Sequence, residues 1–244
     1  MNKAAIVTGS NRGIGRAIAL RLASKGIRVV LTGRDQAALD LVAREIGTAA
    51  AVIALDLRTP QAAQQLVDFA LAQFDRIDIL VNNAGATRRG DFLSLTDEDW
   101  ADGYALKLFG AVRLTRAAWP FLKATAGSLL NIAGVGGRTP GAEFTIGGSV
   151  NAALLSFTKA MAELGIRDGV QVNAVSPGTI RTDRFDHRLA RSGASESDFI
   201  AAHHITRIGE PEDIANLAAF ITSPEGRLLQ GSLIDMDAGA TKTL

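Results

Sequence analysis

The sequence predicts an α/β protein with a doubly wound parallel sheet of about seven strands, built by a single domain over residues 1–244. Short apolar runs alternate with longer segments of helical periodicity along the whole chain. Several runs are apolar throughout, which is typical of parallel strands covered on both faces. Such repeated strand–helix alternation indicates βαβ units with helices on both sides of one sheet.

Each predicted strand is a run of four to six mostly apolar residues, and the seven runs are Ala4–Thr8, Arg28–Thr32, Ala50–Leu55, Ile77–Val81, Ser128–Ile132, Val170–Val175 and Leu233–Met236. The first helix is predicted from apolar residues that recur at helical spacing from Ile14 to Leu22, and Gly26 ends it. Five further helices are predicted at Gln36–Ile46, Pro60–Phe74, Asp97–Leu122, Gly148–Leu164 and Pro211–Ile221.

Local signals support two of these helix starts. Thr96 and Asp99 have the spacing of a capping box before the long central helix. Pro211 stands where a first helical turn tolerates proline. One polar stretch, about residues 178–207, breaks the strand–helix rhythm and contains all three histidines. An insertion after the end of a strand is where such folds place a substrate loop or lid.

Composition excludes several classes of protein. The 26 basic and 25 acidic residues give a net charge of +1, which provides no footprint for nucleic acid or an anionic membrane. No cysteine is present, so disulfides, thiolate nucleophiles and cysteine-ligated zinc are impossible, and no metal site is expected. The apolar run at the start is too short for a signal peptide, and no run approaches a membrane helix. A cytoplasmic protein is therefore expected.

A glycine-rich turn joins the first strand to the first helix. Gly9, Gly13 and Gly15 lie within Thr8–Gly15, so the chain can turn tightly and its backbone can approach a ligand closely. The following helix offers free N–H groups and the positive end of its dipole to a pyrophosphate. The turn predicts a Rossmann-type dinucleotide site that uses Asn11, Arg12 and Ile14 as well, and the alternative is an ordinary βα turn.

Four motifs, taken together, resemble the short-chain dehydrogenase/reductase family. The glycine spacing G-x-x-x-G-x-G is the first, and Asn82-Asn83-Ala84-Gly85 is similar to the family's NNAG motif. Ser176–Thr182, which contains Pro177, Gly178 and Ile180, resembles its proline–glycine motif. The tail segments at residues 207–215 and 237–239 complete a match that covers nearly the whole chain. The resemblance implies a nicotinamide cofactor and a homodimer or homotetramer.

The charge near the second strand selects between the two nicotinamide cofactors. NAD sites usually place a carboxylate there for the ribose hydroxyls, but this chain has Gly33 followed by Arg34. A guanidinium suits a 2′-phosphate, and Arg12 is a second cation nearby, so NADP(H) is preferred over NAD(H). In the alternative, Arg34 is solvated and Asp35 binds NAD. The resemblance places Asp56, Leu57, Asn83, Ala84 and Gly85 along the adenosine side.

The same resemblance implies a catalytic set of Asn, Ser, Tyr and Lys, and none of the four is found where the motifs place it. Matching flanking residues put the lysine position at Asn151, the tyrosine position at Gly147, the serine position at Gly134 and the asparagine position at Lys107. The single tyrosine of the chain, Tyr104, lies in the central helix, so no shift of the alignment restores the usual acid.

Lysine and asparagine have exchanged places in this pattern. Lys107 is therefore predicted to supply the cation, and with it a proton, while Asn151 orients the ribose or a water. Desolvation lowers the pKa of a lysine and can make it a usable acid near neutral pH. In the alternative, Lys107 fills space in a site without activity.

Three functions follow from this pattern. The first is an NADP(H)-dependent oxidoreductase that reduces carbonyls or oxidises alcohols with a non-standard acid/base set. The second is a catalytically silent NADP(H)-binding protein, either a sensor or a non-catalytic subunit. The third is a lyase or isomerase on the same fold, since a fold does not determine a chemistry. Arginines 181, 184, 188 and 191 in the loop after Gly178 hint at an anionic substrate, and a solvated charged lid is the alternative.

Overall fold

Residues 3–242 are described by a computed structural model of the chain. The ends of the predicted domain, residues 1–2 and 243–244, lie outside this range. The described residues form a single-domain Rossmann fold around a seven-stranded sheet in the order β3-β2-β1-β4-β5-β6-β7. Every neighbouring pair of strands is parallel, which confirms the predicted doubly wound architecture.

All seven predicted strands form, with ends that differ from the prediction by two residues or fewer. Their bounds are β1 Ala4–Thr8, β2 Arg28–Gly33, β3 Ala50–Ala54, β4 Ile79–Asn82, β5 Ser128–Ile132, β6 Gln171–Pro177 and β7 Leu233–Met236. The helices are α1 Gly13–Ala23, α2 Gln36–Ile46, α3 Ala62–Phe74, α4 Asp97–Tyr104, α5 Gly110–Ala124, α6 Thr145–Asp168, α7 Asp183–Ser192, α8 Glu196–His203 and α9 Pro211–Ile221. The capping box at Thr96 and the first-turn position of Pro211 are both confirmed.

Helices cover the two faces of the sheet in separate layers. Alternate residues of the fully buried strand β1 point to opposite layers, because successive side chains of a strand face opposite sides. Ala5 and Val7 pack with apolar residues of α1, α2 and α9. Ala4 and Ile6 pack with apolar residues of α3 and α5 on the other face. The apolar strands are therefore covered by helices on both faces. Polar groups that could bind a ligand are expected at the ends of the strands.

The predicted central helix Asp97–Leu122 is interrupted. Residues Ala105–Phe109 form a π-helical segment between α4 and α5, and α5 continues to Ala124. A π-helical turn accommodates one extra residue and is common at functional sites. Periodicity did not reveal it because the apolar residues of this segment suit either kind of helix. The interruption contains Lys107.

The stretch at residues 178–207 was expected to be irregular and instead contains the short helices α7 and α8. Buried Phe185, Ile205 and Ile208 pack with half-buried Leu189 and Phe199 in a small apolar cluster of their own. These few apolar residues stabilise both helices although the stretch is polar on average. In residues 3–242, no helix is long and apolar enough to cross a membrane.

Candidate dinucleotide and catalytic site

The glycine-rich turn lies at the carboxyl ends of the parallel strands, between β1 and α1. Gly9 and Gly13 have φ values of +64° and +53°, which favour glycine strongly. A Cβ atom on Gly15 would lie 2.2 Å from the Gly9 carbonyl oxygen. These glycines are therefore required for the turn itself and for the close packing of α1 against it.

The amino terminus of α1 is open. Its N-cap residue, Arg12, has an extended backbone, and the Arg12 side chain makes no capping hydrogen bond. The first N–H groups of α1 are therefore not used by a side chain of the N-cap residue. Ile14 is half-buried against the apolar layer below, which fixes α1 on the sheet. Free N–H groups beside a glycine turn fit the pyrophosphate of a dinucleotide.

Residues of the NNAG motif brace this turn. The Thr8 hydroxyl accepts hydrogen bonds from the backbone N–H groups of Asn83 and Ala84, both at 2.9 Å. The Asn83 side chain donates to the Thr8 and Gly9 carbonyl oxygens at 2.8 and 3.3 Å. Asn83, which is predicted to line the adenosine side, ties β4 to the turn through its side chain. The position of the turn relative to β4 is thus held by side-chain hydrogen bonds.

The end of β2 has little room for an acidic side chain. A Cβ atom on Gly33 would lie 3.1 Å from Oδ1 of Asn11. Arg34 is exposed and, within residues 3–242, has no carboxylate oxygen within 4.0 Å. The Asp35 side chain accepts a hydrogen bond from the Ala38 N–H at 3.0 Å and caps α2. The Asp35 carboxylate is therefore bonded to its own helix, whereas the Arg34 guanidinium is free to bind a ligand.

The remaining predicted cofactor residues differ in the burial and the partners of their side chains. Leu57 and Ile180 are 7% and 8% exposed, and their side chains belong to the apolar layers on the two faces of the sheet. Asp56 pairs with Arg58 at 3.2 Å. Pro177 ends β6, and the neighbouring Gly178 N–H donates to the Met236 carbonyl oxygen at 3.0 Å. Arg12, the other predicted phosphate ligand, is exposed and lies 3.3 Å from Asp183.

Lys107 reaches the centre of the predicted catalytic region. Its Nζ atom donates a 2.6 Å hydrogen bond to the Ala133 carbonyl oxygen at the end of β5. Its alkyl stem packs on Gly85, where a Cβ atom would come within 2.8 Å of Cδ. Burial, and then the positive charge of Arg184, lower the pKa of Lys107 to about 8. The ammonium is therefore mostly protonated at neutral pH and able to release its proton just above it.

Asn151 approaches the same stretch of chain from α6. It is 2% exposed, and its Nδ2 lies 2.8 Å from where a Cβ atom of Gly134 would stand. Its Oδ1 is buried without a hydrogen-bond partner among the described residues. Lys107 and Asn151 thus meet consecutive residues, Ala133 and Gly134, from two different helices. A buried acceptor without a partner is costly, and it fits a donor from a bound ligand or water.

Gly147 is covered by an aromatic ring that sequence reasoning missed. A Cβ atom at Gly147 would lie 1.9 Å from Cε2 of Phe144, so the Phe144 ring fills the space of any side chain there. The ring is also within 2.8 Å of a Cβ position on Gly136, and the Arg89 guanidinium stacks on it at 3.8 Å. The only available signal was the spacing of Phe144, which precedes Gly147 by three residues.

Tyr104 and His203 both stack on aromatic side chains. Tyr104 is half-buried and stacks on Trp100 with ring centroids 6.4 Å apart. His203 stacks on Phe199 at 3.8 Å within the α7–α8 segment. Residues 3–242 contain no group of three or more histidine, aspartate or glutamate side chains that could hold a metal ion.

Comparison with known proteins identifies the family. A family model described as enoyl-(acyl carrier protein) reductase matches residues 9–241. An uncharacterized oxidoreductase of Mycobacterium tuberculosis is 36% identical over 245 residues, which cover 98% of this chain and 92% of the relative. The 3-oxoacyl-[acyl-carrier-protein] reductase of Vibrio cholerae is 32% identical over 97% of this chain and 96% of its own.

One solved structure is similar to this chain in both fold and sequence. The L-sorbose reductase of Gluconobacter frateurii, in complex with NADPH and L-sorbose, superposes with a TM-score of 0.92. It is 31% identical, and the match covers 100% of this chain and 98% of the reductase. With the glycine turn, the NNAG brace and the seven-stranded sheet in place, the chain belongs to the short-chain dehydrogenase/reductase family.

Proposed function

We propose that the protein is an NADP(H)-dependent carbonyl reductase in which Lys107, and not a tyrosine, is the proton donor. The observation that carries this proposal is the half-buried Lys107, whose Nζ donates to the Ala133 carbonyl oxygen beside Gly134 and whose pKa is lowered to about 8. In this interpretation the usual serine and tyrosine positions are Gly134 and Gly147, and a glycine has no side chain that could donate a proton. The oxidoreductase class and the NADP(H) preference agree with the sequence prediction.

NADP(H) binding is assigned to the turn and to the two cations beside it. The open amino terminus of α1 takes the pyrophosphate, and Arg34 and Arg12 take the 2′-phosphate. The capping role of Asp35 supports this choice, because an NAD site would need that carboxylate for ribose hydroxyls. Structural relatives such as the NADPH-bound L-sorbose reductase also support it.

Substitution of Arg34 tests the cofactor assignment. Arg34→Ala is expected to raise the Kd for NADPH about tenfold, since a charge-assisted bond to the 2′-phosphate is lost. The Kd for NADH should change less than about twofold, because NADH lacks that phosphate. Fluorescence titration measures both constants, and Arg44→Ala, an exposed arginine of α2, is the control. Tighter binding of NADH than of NADPH by the wild-type protein would refute the assignment.

The proposed chemistry moves one hydride and one proton. When bound, the reduced nicotinamide supplies the hydride that forms the new C–H bond at the carbonyl carbon. Lys107 donates a proton to the carbonyl oxygen as the C=O π bond breaks, which gives the alcohol and a neutral amine. Water then returns a proton to Nζ. The Ala133 carbonyl oxygen accepts a hydrogen bond from only one of the three N–H groups of the ammonium. The other two remain for substrate and cofactor.

Asn151 is proposed to orient the ribose or a water in this relay. Its unpartnered Oδ1 accepts a hydrogen bond from a ribose hydroxyl or from a water, and its Nδ2 stays against Gly134. The amide carries no charge, so it adds no electrostatic repulsion to the lysine. The pair thus divides the two roles, with the proton on Lys107 and the positioning on Asn151.

The pH profile tests Lys107 directly. The protonated ammonium is the acid for reduction, so kcat/KM with NADPH is expected to be level at low pH and to fall as pH rises through about 8. Alcohol oxidation with NADP⁺ needs the neutral amine and should rise over the same interval. Initial rates between about pH 6 and 10 measure both limbs. A profile without an inflection in that interval in either direction would contradict the assignment.

A protein that binds NADP(H) without turnover is the second candidate function. The Phe144 ring at Gly147 and the bond from Lys107 to a backbone carbonyl are the observations that favour it. A panel of carbonyls and alcohols, followed by NADPH absorbance, separates the two functions. NADPH binding without consumption of any substrate supports the silent protein.

The chain is further proposed to act as a homodimer or homotetramer through its central helices and last strand. Phe109, at the end of the π-helical segment, is 47% exposed, and contact between the central helices of two copies would cover this apolar surface. Light scattering of the purified protein determines the oligomeric state.

A further inference from the structure

Three arginines stand together at the open side of the site. Arg89 follows β4, whereas Arg184 and Arg188 lie one helical turn apart on α7. All three side chains are exposed. The two segments are far apart in the chain, so the fold and not the local sequence brings these charges to one place.

Two of the guanidinium groups contact aromatic rings through their flat faces, and the third donates to a backbone carbonyl oxygen. Arg89 stacks on the Phe144 ring at 3.8 Å, directly over the space at Gly147. Arg188 lies 5.1 Å from the ring centroid of Phe199. Stacking uses the flat face of a guanidinium and leaves its edge free to donate. The third, Arg184, donates a 2.9 Å hydrogen bond to the carbonyl oxygen of Gly85, the residue on which the Lys107 stem packs.

These charges lack ordinary partners. Within residues 3–242, none of the three arginines has a carboxylate oxygen within 4.0 Å. Desolvation, and then Arg188 and Arg184, lower the pKa of Arg89, and among residues 3–242 Glu143 is the carboxylate that opposes them. Neighbouring Arg181 differs, since it pairs with Glu196 at 2.7 Å and with Glu210 at 2.9 Å.

Like charges lie close together in this arrangement. Arg184 and Arg188 both act on Arg89, and Arg184 also acts on Lys107, so a bound anion would offset their mutual repulsion. A carboxylate or phosphate accepts paired N–H bonds from guanidinium edges in a geometry that a neutral hydroxyl cannot match. The cluster lies beside the proposed proton donor, so the anion would belong to the molecule being reduced.

We propose that the substrate carries an anionic group, a carboxylate or a phosphate monoester, that is bound by Arg89, Arg184 and Arg188. This inference rests on the proposed function, since it assigns a substrate class to the same site. Arg184 touches the Gly85 segment where the cofactor is expected, whereas Arg89 and Arg188 have no such contact. The latter two therefore separate binding of substrate from binding of cofactor.

Anion binding to the NADPH-saturated protein tests the proposal without requiring turnover. Titration calorimetry with inorganic phosphate and, separately, with acetate probes the two sources of negative charge while the cofactor's own phosphate sites are filled. We expect saturable binding of at least one probe, weakened about tenfold by Arg89→Gln and by Arg188→Gln. Arg21→Gln, an exposed arginine near the far end of α1, should leave it unchanged.

The outcomes separate this inference from the proposed chemistry. The stronger of the two probes identifies the anion as phosphate or carboxylate. Absence of saturable binding of both, or equal binding by wild type and both variants, overturns the inference. A loss of NADPH affinity in both variants with unchanged anion binding also overturns it, because the cluster would then serve the cofactor. Anion binding without any pH inflection near 8 would preserve the inference and remove the Lys107 mechanism.

For an active protein, paired substrates give a second measurement. Acetoacetate and its methyl ester present the same ketone with and without a carboxylate. If acetate is the stronger probe, the acid is expected to have a kcat/KM about tenfold higher than the ester, and Arg89→Gln should abolish that difference. Preference for the ester in that case would contradict a carboxylate-binding role.

Discussion

Lys107→Met is expected to lower kcat/KM for carbonyl reduction by about 100-fold or more, since general acid catalysis contributes about 10²–10⁴-fold. Methionine keeps an unbranched apolar stem against Gly85 and removes the ammonium, so the packing at the Gly85 segment changes little. The proton that Lys107 gives to the carbonyl oxygen would then have to come from water. Initial rates at saturating NADPH measure the loss.

Two further variants separate chemistry from structure. Lys107→Arg retains a cation whose pKa lies far above neutrality, so it should also be slow although it keeps the charge. Lys159→Met makes the same exchange at an exposed position of α6 and should retain full activity. NADPH titration and urea unfolding confirm that each protein is folded. Full turnover by Lys107→Met would exclude the lysine as the proton donor.

Gly15→Ala is expected to weaken NADPH binding by about 100-fold or more. The added methyl group would lie 2.2 Å from the Gly9 carbonyl oxygen and 2.4 Å from Nδ2 of Asn83. Neither atom can yield without moving the turn or breaking the brace to β4, and overpacking of this kind costs about 1–3 kcal/mol or more. The amino terminus of α1 would therefore be displaced from the pyrophosphate.

A graded series keeps this prediction testable if Gly15→Ala unfolds. At Gly13 the new methyl group would meet only the Thr182 side chain at 3.2 Å, although φ is +53°, so Gly13→Ala should have a smaller effect of about tenfold. Gly141→Ala adds a methyl group in open space at an ordinary φ of −85° and should change nothing. Fluorescence titration gives the Kd values and urea unfolding the stabilities. Unchanged NADPH affinity in Gly15→Ala would contradict the assigned role of the turn.

The sequence predicted the sheet well for a physical reason. A strand buried on both faces must be apolar at nearly every position, and β1 is an example in which all five residues are buried. The dinucleotide turn was equally readable, because the positive φ values at Gly9 and Gly13 favour glycine strongly. In both cases the local residue types are dictated by local geometry.

The candidate catalytic region was harder to predict from the sequence because it depends on contacts between distant segments. Periodicity gave no sign of the π-helical segment that contains Lys107. The motif match puts a glycine, Gly147, at the usual tyrosine position. Only the structure shows that the Phe144 ring fills the space that a side chain there would take. Arg89 was overlooked since its neighbours on α7 are about 100 residues away in the chain. Side-chain packing, and not propensity, decides these positions.

The Phe144 ring has a consequence for any side chain introduced at Gly147. Because the ring fills the space above Gly147 and itself lies against Gly136 and Arg89, a tyrosine placed at Gly147 would clash with it unless Phe144 became smaller or moved. A single substitution of Gly147 would therefore meet a steric clash before it added a hydroxyl group to the site. Only a paired change of Gly147 and Phe144 could install an acid at this position.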